Sequence, residues 1–383
     1  MEKLVLKVGN DNGNSEQKMV INETLIKQPN VYTRVSKLPN LDELNAEYVA
    51  KNIQDNLIVT IESPSVNNGG ATTYFVGTYA TKSGRNVRNI EVGAVNSKLN
   101  SEVPLINTFA QIAAYATKEI YLKDNKVESV EVDVDMTTGL PVNQYNKENA
   151  RIFADRFIGN HKVTVFLGNQ KVEVKLNFKY VKVLPEGTST VFYLQNNKIK
   201  ELEKYNFRNK KIQHVDIGEG TTEYPMTNDI NFNPLFITGS NNGVGHAINN
   251  VLLDFMSKKS LQKYTRQDFS NALKDKNHKY HADAEEIIED ELEDQAFTIA
   301  AFTKQEIAKA NNDVDYVLVY GGGSLLMRGY LERELEQYLT NTGVELIYIP
   351  EEIAVEVEVF GMYEFCNSKI FSSLKEKYVR KDV

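Results

Sequence analysis

Two stretches of the chain end an apolar strand in an aspartate with glycine close behind. The first is Gly9-Asn10-Asp11-Asn12-Gly13-Asn14, entered from the apolar run Leu4 to Val8 and left by the polar run Ser15 to Ile21. The second is Val215-Asp216-Ile217-Gly218-Glu219-Gly220-Thr221-Thr222, entered from Ile212 to Ile217 and left by Thr221 to Met226. Both read as strand, tight turn, strand. Glycine lets a backbone come close to a ligand, and such a turn exposes amide groups that can hold phosphate oxygens. A carboxylate at the strand end is placed to orient a metal-bound water. One Asp-x-Gly-x-Gly-Thr alone is also an ordinary hairpin; the repeated layout is what points to chemistry. A third glycine site, Tyr320-Gly321-Gly322-Gly323-Ser324, lies between a predicted strand, Val314 to Tyr320, and a predicted helix, Leu325 to Leu339.

Two phosphate hairpins and a strand–triple-glycine–helix, in this order, resemble the actin, sugar-kinase and heat-shock-chaperone ATPase superfamily. Within it the chain is most similar to the bacterial actin-like proteins of plasmid segregation, the ParM group and its relatives, over nearly its whole length. The resemblance implies an α/β fold of the actin-like, two-domain kind. Each domain would be a mixed five-stranded sheet with helices, with a nucleotide in the cleft between them. Domain I would take residues 1–211 and 350–383, with a small variable subdomain at about 22–100, and domain II residues 212–349. Asp11 and Asp216 would face each other and hold Mg²⁺ through water. Asn12, Gly13, Asn14, Gly218, Gly220, Thr221 and Thr222 would hold the phosphates. Gly321, Gly322, Gly323 and Ser324 would back the adenosine.

Three more family elements are matched. Val183-Leu184-Pro185-Glu186-Gly187 follows a strand as the segregation actins' Pro-Glu does, where the glutamate polarises or deprotonates the attacking water. A carboxylate on a short loop facing a γ-phosphate can take that proton, although the same glutamate also reads as a surface turn residue. Gly239-Ser240-Asn241-Asn242-Gly243-Val244 opens a helix to Lys258, an approach site for an anion or sugar through Gly243. Phe360-Gly361-Met362-Tyr363 resembles the family's returning helix. The family often has Asn three residues before that glycine; Glu358 stands there in this chain, so a nucleotide contact is not carried over.

The elements that must position these residues follow from periodicity. Val59 to Glu62 and Thr73 to Gly77 read as edge strands, and Arg85 to Lys98 as a basic loop. Pro104 to Leu122 has helical spacing. Ser129 to Met136 alternates as a strand and leads into a Thr137-Thr138-Gly139-Leu140-Pro141 turn. Asn143 to Phe157 reads as a helix and Lys162 to Leu184 as an antiparallel meander. Thr265 caps a short helix to Leu273, where the superfamily often contacts the base or ribose. Ala282 to Ala310 is a long helix and Val344 to Ile349 a final strand.

Composition sets the outer limits. The 383 residues are 25% charged and 41% hydrophobic, ordinary globular proportions for two or three domains. A formal net charge of −8 disfavours direct, sequence-independent DNA binding, which needs a basic face. The single cysteine, Cys366, allows no intramolecular disulfide, and a cytoplasmic protein is expected. No Gly-x-x-x-x-Gly-Lys-[Ser/Thr] segment is present, so the P-loop is excluded as the phosphate cradle. His278 and His281 sit in a lysine-rich stretch and read as a solvated loop. The resemblance then implies an Mg²⁺-dependent ATPase, with GTP as the other candidate nucleotide, that forms filaments. It also implies a ParR-like DNA-binding adaptor as partner and a plasmid as cargo; the charge sets the expectation of no direct DNA contact, and the lack of a visible amphipathic anchor that of no membrane contact. The alternatives are a sugar or acid kinase of the same superfamily, and another actin-like filament serving a phage or cell shape.

Overall fold

Alternation of apolar side chains builds the strands around which each half of the chain is packed. The computed structural model describes residues 2–41, 43–91, 97–197, 199–340 and 342–379. Packing divides them into two units: residues 1–140, 144–184 and 359–383, and residues 141–143 and 185–358. These limits differ from the expected ones, 211/212 and 349/350, because the segments after Leu184 and before Glu358 pack with the second sheet.

The first unit holds nine strands: β1 (Glu2–Asn12), β2 (Glu16–Ile21), β3 (Thr24–Pro29), β4 (Tyr32–Val35), β5 (Ile58–Glu62), β6 (Thr72–Val76), β7 (Ser129–Leu140), β8 (Gly159–Leu167) and β9 (Gln170–Pro185). They form one sheet in the order β3-β2-β1-β7-β9-β8-β5-β6-β4. Strand β1 runs antiparallel to β2 and parallel to β7. The β2–β3 turn places Asn22 and Glu23 at φ 43° and 72°, the two left-handed residues a tight two-residue hairpin requires. Helices α1 (Ala46–Lys51), α2 (Gly77–Lys82), α3 (Ser97–Asn100), α4 (Val103–Tyr121) and α5 (Lys147–Asp155) complete this part. Leu105, Phe109, Ile112, Ala113 and Ala116 of α4 are fully buried. Phe109 meets Phe157 and Phe178 edge-on and stacks on His161.

The second unit contains α6 (Thr190–Asn196), β10 (Lys211–Ile217), β11 (Thr222–Glu223), β12 (Met226–Asn228), β13 (Asn231–Phe232), β14 (Gly239–Ser240), α7 (Val244–Lys258), α8 (Arg266–Lys274), α9 (His281–Lys309), β15 (Tyr316–Tyr320), α10 (Gly322–Leu339), β16 (Glu345–Tyr348) and α11 (Glu351–Ala354). Its seven strands form one sheet, in which β10 pairs antiparallel with β11 and β12 and parallel with β15. Thr265 caps α8 through a reciprocal bond pair with Asp268, as its spacing predicts. Helix α12 (Val357–Asn367) leads the chain back, and α13 (Lys369–Val379) ends the described residues. In the first unit Lys375 and Lys7 both reach the Asp135 carboxylate at 2.7 Å. Burial pushes the thiol of Cys366 up to about 11.

Two expectations are corrected. The sheets have nine and seven strands rather than five each. Residues 24–76 add β3 to one edge of the first sheet and β5, β6 and β4 to the other. The Thr137–Leu140 segment is no turn: it continues β7, paired with β1 at Met136↔Val8, Thr137↔Gly9 and Thr138↔Asn10. A glycine was legible there, but the parallel pairing that carries β7 through Thr137 and Thr138 was not.

Gly9 marks where α12 lies on β1. A Cβ at this position would sit 2.5 Å from the Tyr363 amide nitrogen and 2.7 Å from the Val359 carbonyl oxygen, both backbone atoms that cannot step aside. Gly9→Ala is therefore expected to destabilise the first unit by about 1–3 kcal/mol, the range for overpacked sites. A urea unfolding midpoint equal to that of the unaltered protein would contradict this.

Candidate functional site

In the first unit the Asp11 hairpin is held from beneath by side chains. The register Asp11↔Lys18 and Asn12↔Gln17 puts Lys18 directly across from Asp11, and its ammonium lies 3.0 Å from the carboxylate. The Gln17 amide donates to the side-chain oxygens of Asn10 and Asn12, both at 3.0 Å. The Asn10 amide donates to Thr108 on α4 at 2.9 Å, so the strand end is pinned to the core. The amide nitrogen of Asn12 is buried without a hydrogen-bond partner. A buried donor without an acceptor costs free energy, which a bound acceptor would recover. At the turn, a Cβ on Gly13 would lie 2.6 Å from the Glu16 carbonyl oxygen, and Asn30 donates to the Gly13 carbonyl at 2.7 Å. Asn14 follows in the same turn. Strand β1 reaches Asn12, four residues beyond the Leu4 to Val8 run, because its partners β2 and β7 continue past that apolar stretch.

In the second unit Asp216 lies opposite Glu223 on β11 and level with Tyr320 on β15. The Gly218 amide closes the turn on the Thr221 carbonyl at 3.0 Å. The outer face of this turn is covered by the start of α7. The amides of Gly243, Val244 and Gly245 donate to the carbonyls of Gly220, Gly218 and Glu219 at 3.3, 3.0 and 2.8 Å. A Cβ on Gly243 would collide with the Glu219 carbonyl. Gly243 and the first turn of α7 thus serve the hairpin backbone, a use of these amides that differs from the anion approach its sequence suggests. The Thr222 hydroxyl donates to the Asn242 carbonyl at 2.8 Å. Arg266, at the start of α8, pairs with Glu219 at 2.5 Å.

The three glycines after Tyr320 divide by what they touch. Gly321 has φ +88°, and a Cβ there would lie 2.5 Å from the Ile217 carbonyl and 2.7 Å from the Asp216 carboxylate. Gly323 abuts the Ile217 side chain, while a Cβ on Gly322 would meet nothing within 4 Å. Gly321 and Gly323 bring α10 against β10, and Gly322 alone presents an open face. The Ser324 hydroxyl donates to the Gly321 carbonyl at 2.7 Å.

Glu186 is half-buried on the turn Pro185-Glu186-Gly187-Thr188. The Thr188 amide donates to the Pro185 carbonyl at 3.3 Å and Gly187 has φ +81°, the pattern of a type II turn with glycine at its third position. The Tyr320 hydroxyl donates to the Gly187 carbonyl at 2.7 Å and contacts His214 Nδ1 at 3.2 Å. Burial drives the Tyr320 phenol well above its ordinary range and His214 down to about 3, so both are neutral. The second unit therefore brings Asp216, the triple glycine and the Glu186 turn together around Tyr320. Among the described residues no group of three or more His, Cys, Asp or Glu side chains is arranged to hold a metal ion unaided. A Mg²⁺ at Asp11 or Asp216 would take its remaining ligands from phosphate and water, which suits that ion's preference for few protein carboxylates.

Sequence reasoning missed Lys18, Tyr320 and His214. The signal for Lys18 was the hairpin register, which puts residue 18 across from residue 11. Tyr320 and His214 read as core residues of apolar strands, and only the sheet shows what their polar atoms meet.

A nine-stranded and a seven-stranded mixed sheet, each with a strand–Asp–Gly hairpin, define an actin-like fold. Residues 9–188 match the family described as the N-terminal domain of actin-like proteins. Among solved structures, the actin-like protein Alp7A aligns over 99% of this chain and 100% of its own, with TM-score 0.72 and 16% identity. A Bacillus thuringiensis ParM solved with ATP aligns over 97% and 99%, with TM-score 0.60 and 20% identity. An archaeal actin homolog aligns over 95% and 99%, with TM-score 0.65 and 17% identity. No curated protein matches the sequence at the same stringency.

The two buried histidines make stability depend on pH. Burial lowers both His214 and His161 from 6.5. Between the ordinary and the lowered value the unfolded chain binds more protons than the folded one, so stability present above pH 6.5 is lost as pH falls. Each contributes a slope of up to about 1.4 kcal/mol per pH unit. The urea midpoint is expected to drop between pH 7 and 5, and less steeply in His214→Gln. A flat profile in the unaltered protein would refute neutral burial.

Proposed function

We propose that this chain is a filament-forming actin-like ATPase, Mg²⁺-dependent and cytoplasmic, whose assembly segregates plasmid DNA. One observation carries the reading: each unit holds the same device at the same place in its sheet. Asp11 lies at the end of a strand with an antiparallel hairpin partner and a parallel neighbour, and so does Asp216. The ParM of similar fold solved with ATP supports the choice of nucleotide, with GTP as the competitor to be measured. Another protein of similar fold, a non-polymerisable ParM mutant, supports assembly as the property to test.

The residues fit such a ligand. The partnerless amide of Asn12, the cation of Lys18 and the turn amides at Gly13 and Asn14 are donors for phosphate oxygens. Gly218, Gly220 and Thr221 offer the second turn, and Thr222 shapes it. Gly322 gives the open surface on which a flat base or ribose can lie, with Gly321, Gly323 and Ser324 setting its position. Asp11 and Asp216 orient metal-bound water, and Glu186 takes the proton from the water that attacks the γ-phosphate. Bound Mg²⁺ would neutralise charge on the phosphate oxygens.

Asp11→Ala and Asp216→Ala are each expected to lower Mg²⁺-dependent ATP hydrolysis by about 100-fold or more, with folding preserved because both positions lie at strand ends. Glu186→Ala is expected to slow phosphate release by about 10²–10⁴-fold, the usual range for a general base, while ATP still binds and filaments persist. Wild-type turnover in either aspartate variant would refute the site. Light scattering with ATP and Mg²⁺ that never rises, together with phosphate transfer to a sugar or acid, would favour the kinase alternative.

A ParR-like adaptor is the proposed link to DNA. The net charge of −8 opposes direct contact. Of the basic residues in the Arg85 to Lys98 stretch, Arg85 and Arg88 are exposed and Lys98 is buried, so the positive face they could form is reduced to two charges. No helix among the described residues is long and apolar enough to cross a membrane. The purified protein with ATP at near-physiological salt should leave centromere-like DNA unretarded in a gel, and adding the adaptor should give a ternary complex. Tight, sequence-specific retardation by the protein alone would overturn this.

A further inference from the structure

Glu358 closes the last segment of the second unit, and its side chain bonds to the turn that carries Glu186. Its two carboxylate oxygens accept from the Gly187 amide at 3.1 Å and from the Thr190 hydroxyl at 2.8 Å. Its backbone carbonyl accepts from the Ser189 hydroxyl at 2.8 Å. Glu358, Ser189 and Thr190 are all buried. The same glycine is gripped from the other side by Tyr320, which donates to the Gly187 carbonyl at 2.7 Å. A carbonyl can only accept, so the Tyr320 hydrogen is spent there. His214 Nδ1 must then donate to the Tyr320 oxygen, leaving Nε2 to accept from the Thr227 hydroxyl at 2.9 Å.

We infer that Glu358 and Tyr320 are positioning residues for hydrolysis, fixing the peptides on both sides of Gly187 and so the direction in which Glu186 is presented. This rests on the reading of Glu186 as the proton acceptor. The Gly187 amide belongs to the peptide that follows Glu186, and its orientation sets the ψ angle of Glu186 directly. Gly187 is itself left-handed at φ +81°, with a Cβ excluded by Pro225 at 2.8 Å, so the turn has little freedom once both bonds are made. These residues also flank the points where the chain enters the second unit, at Pro185, and leaves it, after Glu358. Bonding between them ties the two segments together. A displacement of about 1 Å at a catalytic group is enough to cost roughly 100-fold in rate.

The test separates rate from binding. Single-turnover ATP cleavage at saturating ATP and Mg²⁺ and the Kd for ATP are measured for Tyr320→Phe, Glu358→Ala, Glu358→Gln, Glu186→Gln and the double variant Glu186→Gln/Tyr320→Phe. Tyr320→Phe and Glu358→Ala are expected to slow cleavage about tenfold or more with Kd changed less than about threefold. Glu358→Gln should recover most of the rate, because its oxygen still accepts from Gly187 and the Thr190 hydroxyl can turn to accept from its amide. The double variant should be no slower than Glu186→Gln alone, since the clamp acts through that residue. Hydrogen exchange at the Gly187 amide should be faster in Glu358→Ala than in the unaltered protein. If Glu186→Gln is slow while the Tyr320 and Glu358 variants are fast, the inference is overturned and the proposed function stands. If Glu186→Gln is as fast as the unaltered protein, the reading of Glu186 fails and the inference with it. Equal losses in rate and affinity, or a Glu358→Gln as slow as Glu358→Ala, reduce the clamp to a structural role and overturn the inference. Should Glu358→Ala fail to fold, Tyr320→Phe and Glu358→Gln decide the same question.

Discussion

The parallel pairing of β10 with β15 is the constraint on which the second unit depends. It sets Asp216 level with Tyr320, and every later feature of the site follows from that register. Immediately after Tyr320 the chain must turn away from the sheet into α10 while touching the Asp216 carboxylate. Only glycine can do so at Gly321, where φ is positive and a Cβ would collide with both Ile217 and Asp216. The tyrosine then points its hydroxyl to the Gly187 turn. A shift of one residue along β15 would send that side chain to the opposite face of the sheet and remove the turn's anchor.

The first unit solves the same problem with different chemistry. Its aspartate also ends a strand between an antiparallel and a parallel neighbour, but the support beneath is a set of neutral amides and hydroxyls, Asn10, Asn12, Gln17 and Thr108, with Lys18 as the one charged partner at the surface. Such buried polar groups are tolerable because most of their donors and acceptors are matched. The amide nitrogen of Asn12 and the amide oxygen of Gln17 are exceptions, and both lie in the hairpin that sequence spacing marked as a phosphate site. In the second unit the corresponding support is the backbone of α7, which spends its first amides on the hairpin carbonyls and needs Gly243 to come that close.

Neutrality in the buried network is also a matter of energetics. His214 and Tyr320 sit where a charge would be poorly solvated, so each keeps its uncharged form. Their hydrogen bonds can then run in one sense only, from Thr227 through His214 and Tyr320 to the Gly187 carbonyl. A network with a single allowed direction holds its end group, the Gly187 carbonyl, in one place.

The sequence by itself determined the local devices. Asp11, Asp216 and the triple glycine at 321 were legible because turn chemistry and apolar alternation act over a few residues. So were α4, α8, α9 and the β8–β9 meander, whose periods are written into consecutive side chains. What only the tertiary structure decided was set by partners far apart in the chain. The extension of β7 past Met136 depends on β1, more than a hundred residues earlier. The nine strands of the first sheet depend on residues 24–76 adding to both of its edges. The packing role of Gly243 depends on the Gly218–Gly220 turn, a separate hairpin earlier in the chain. The task of Glu358 depends on a turn 171 residues away. A side chain's type tells which bonds it can make, but the donor it finally meets is selected by register and packing, and those are properties of the folded chain.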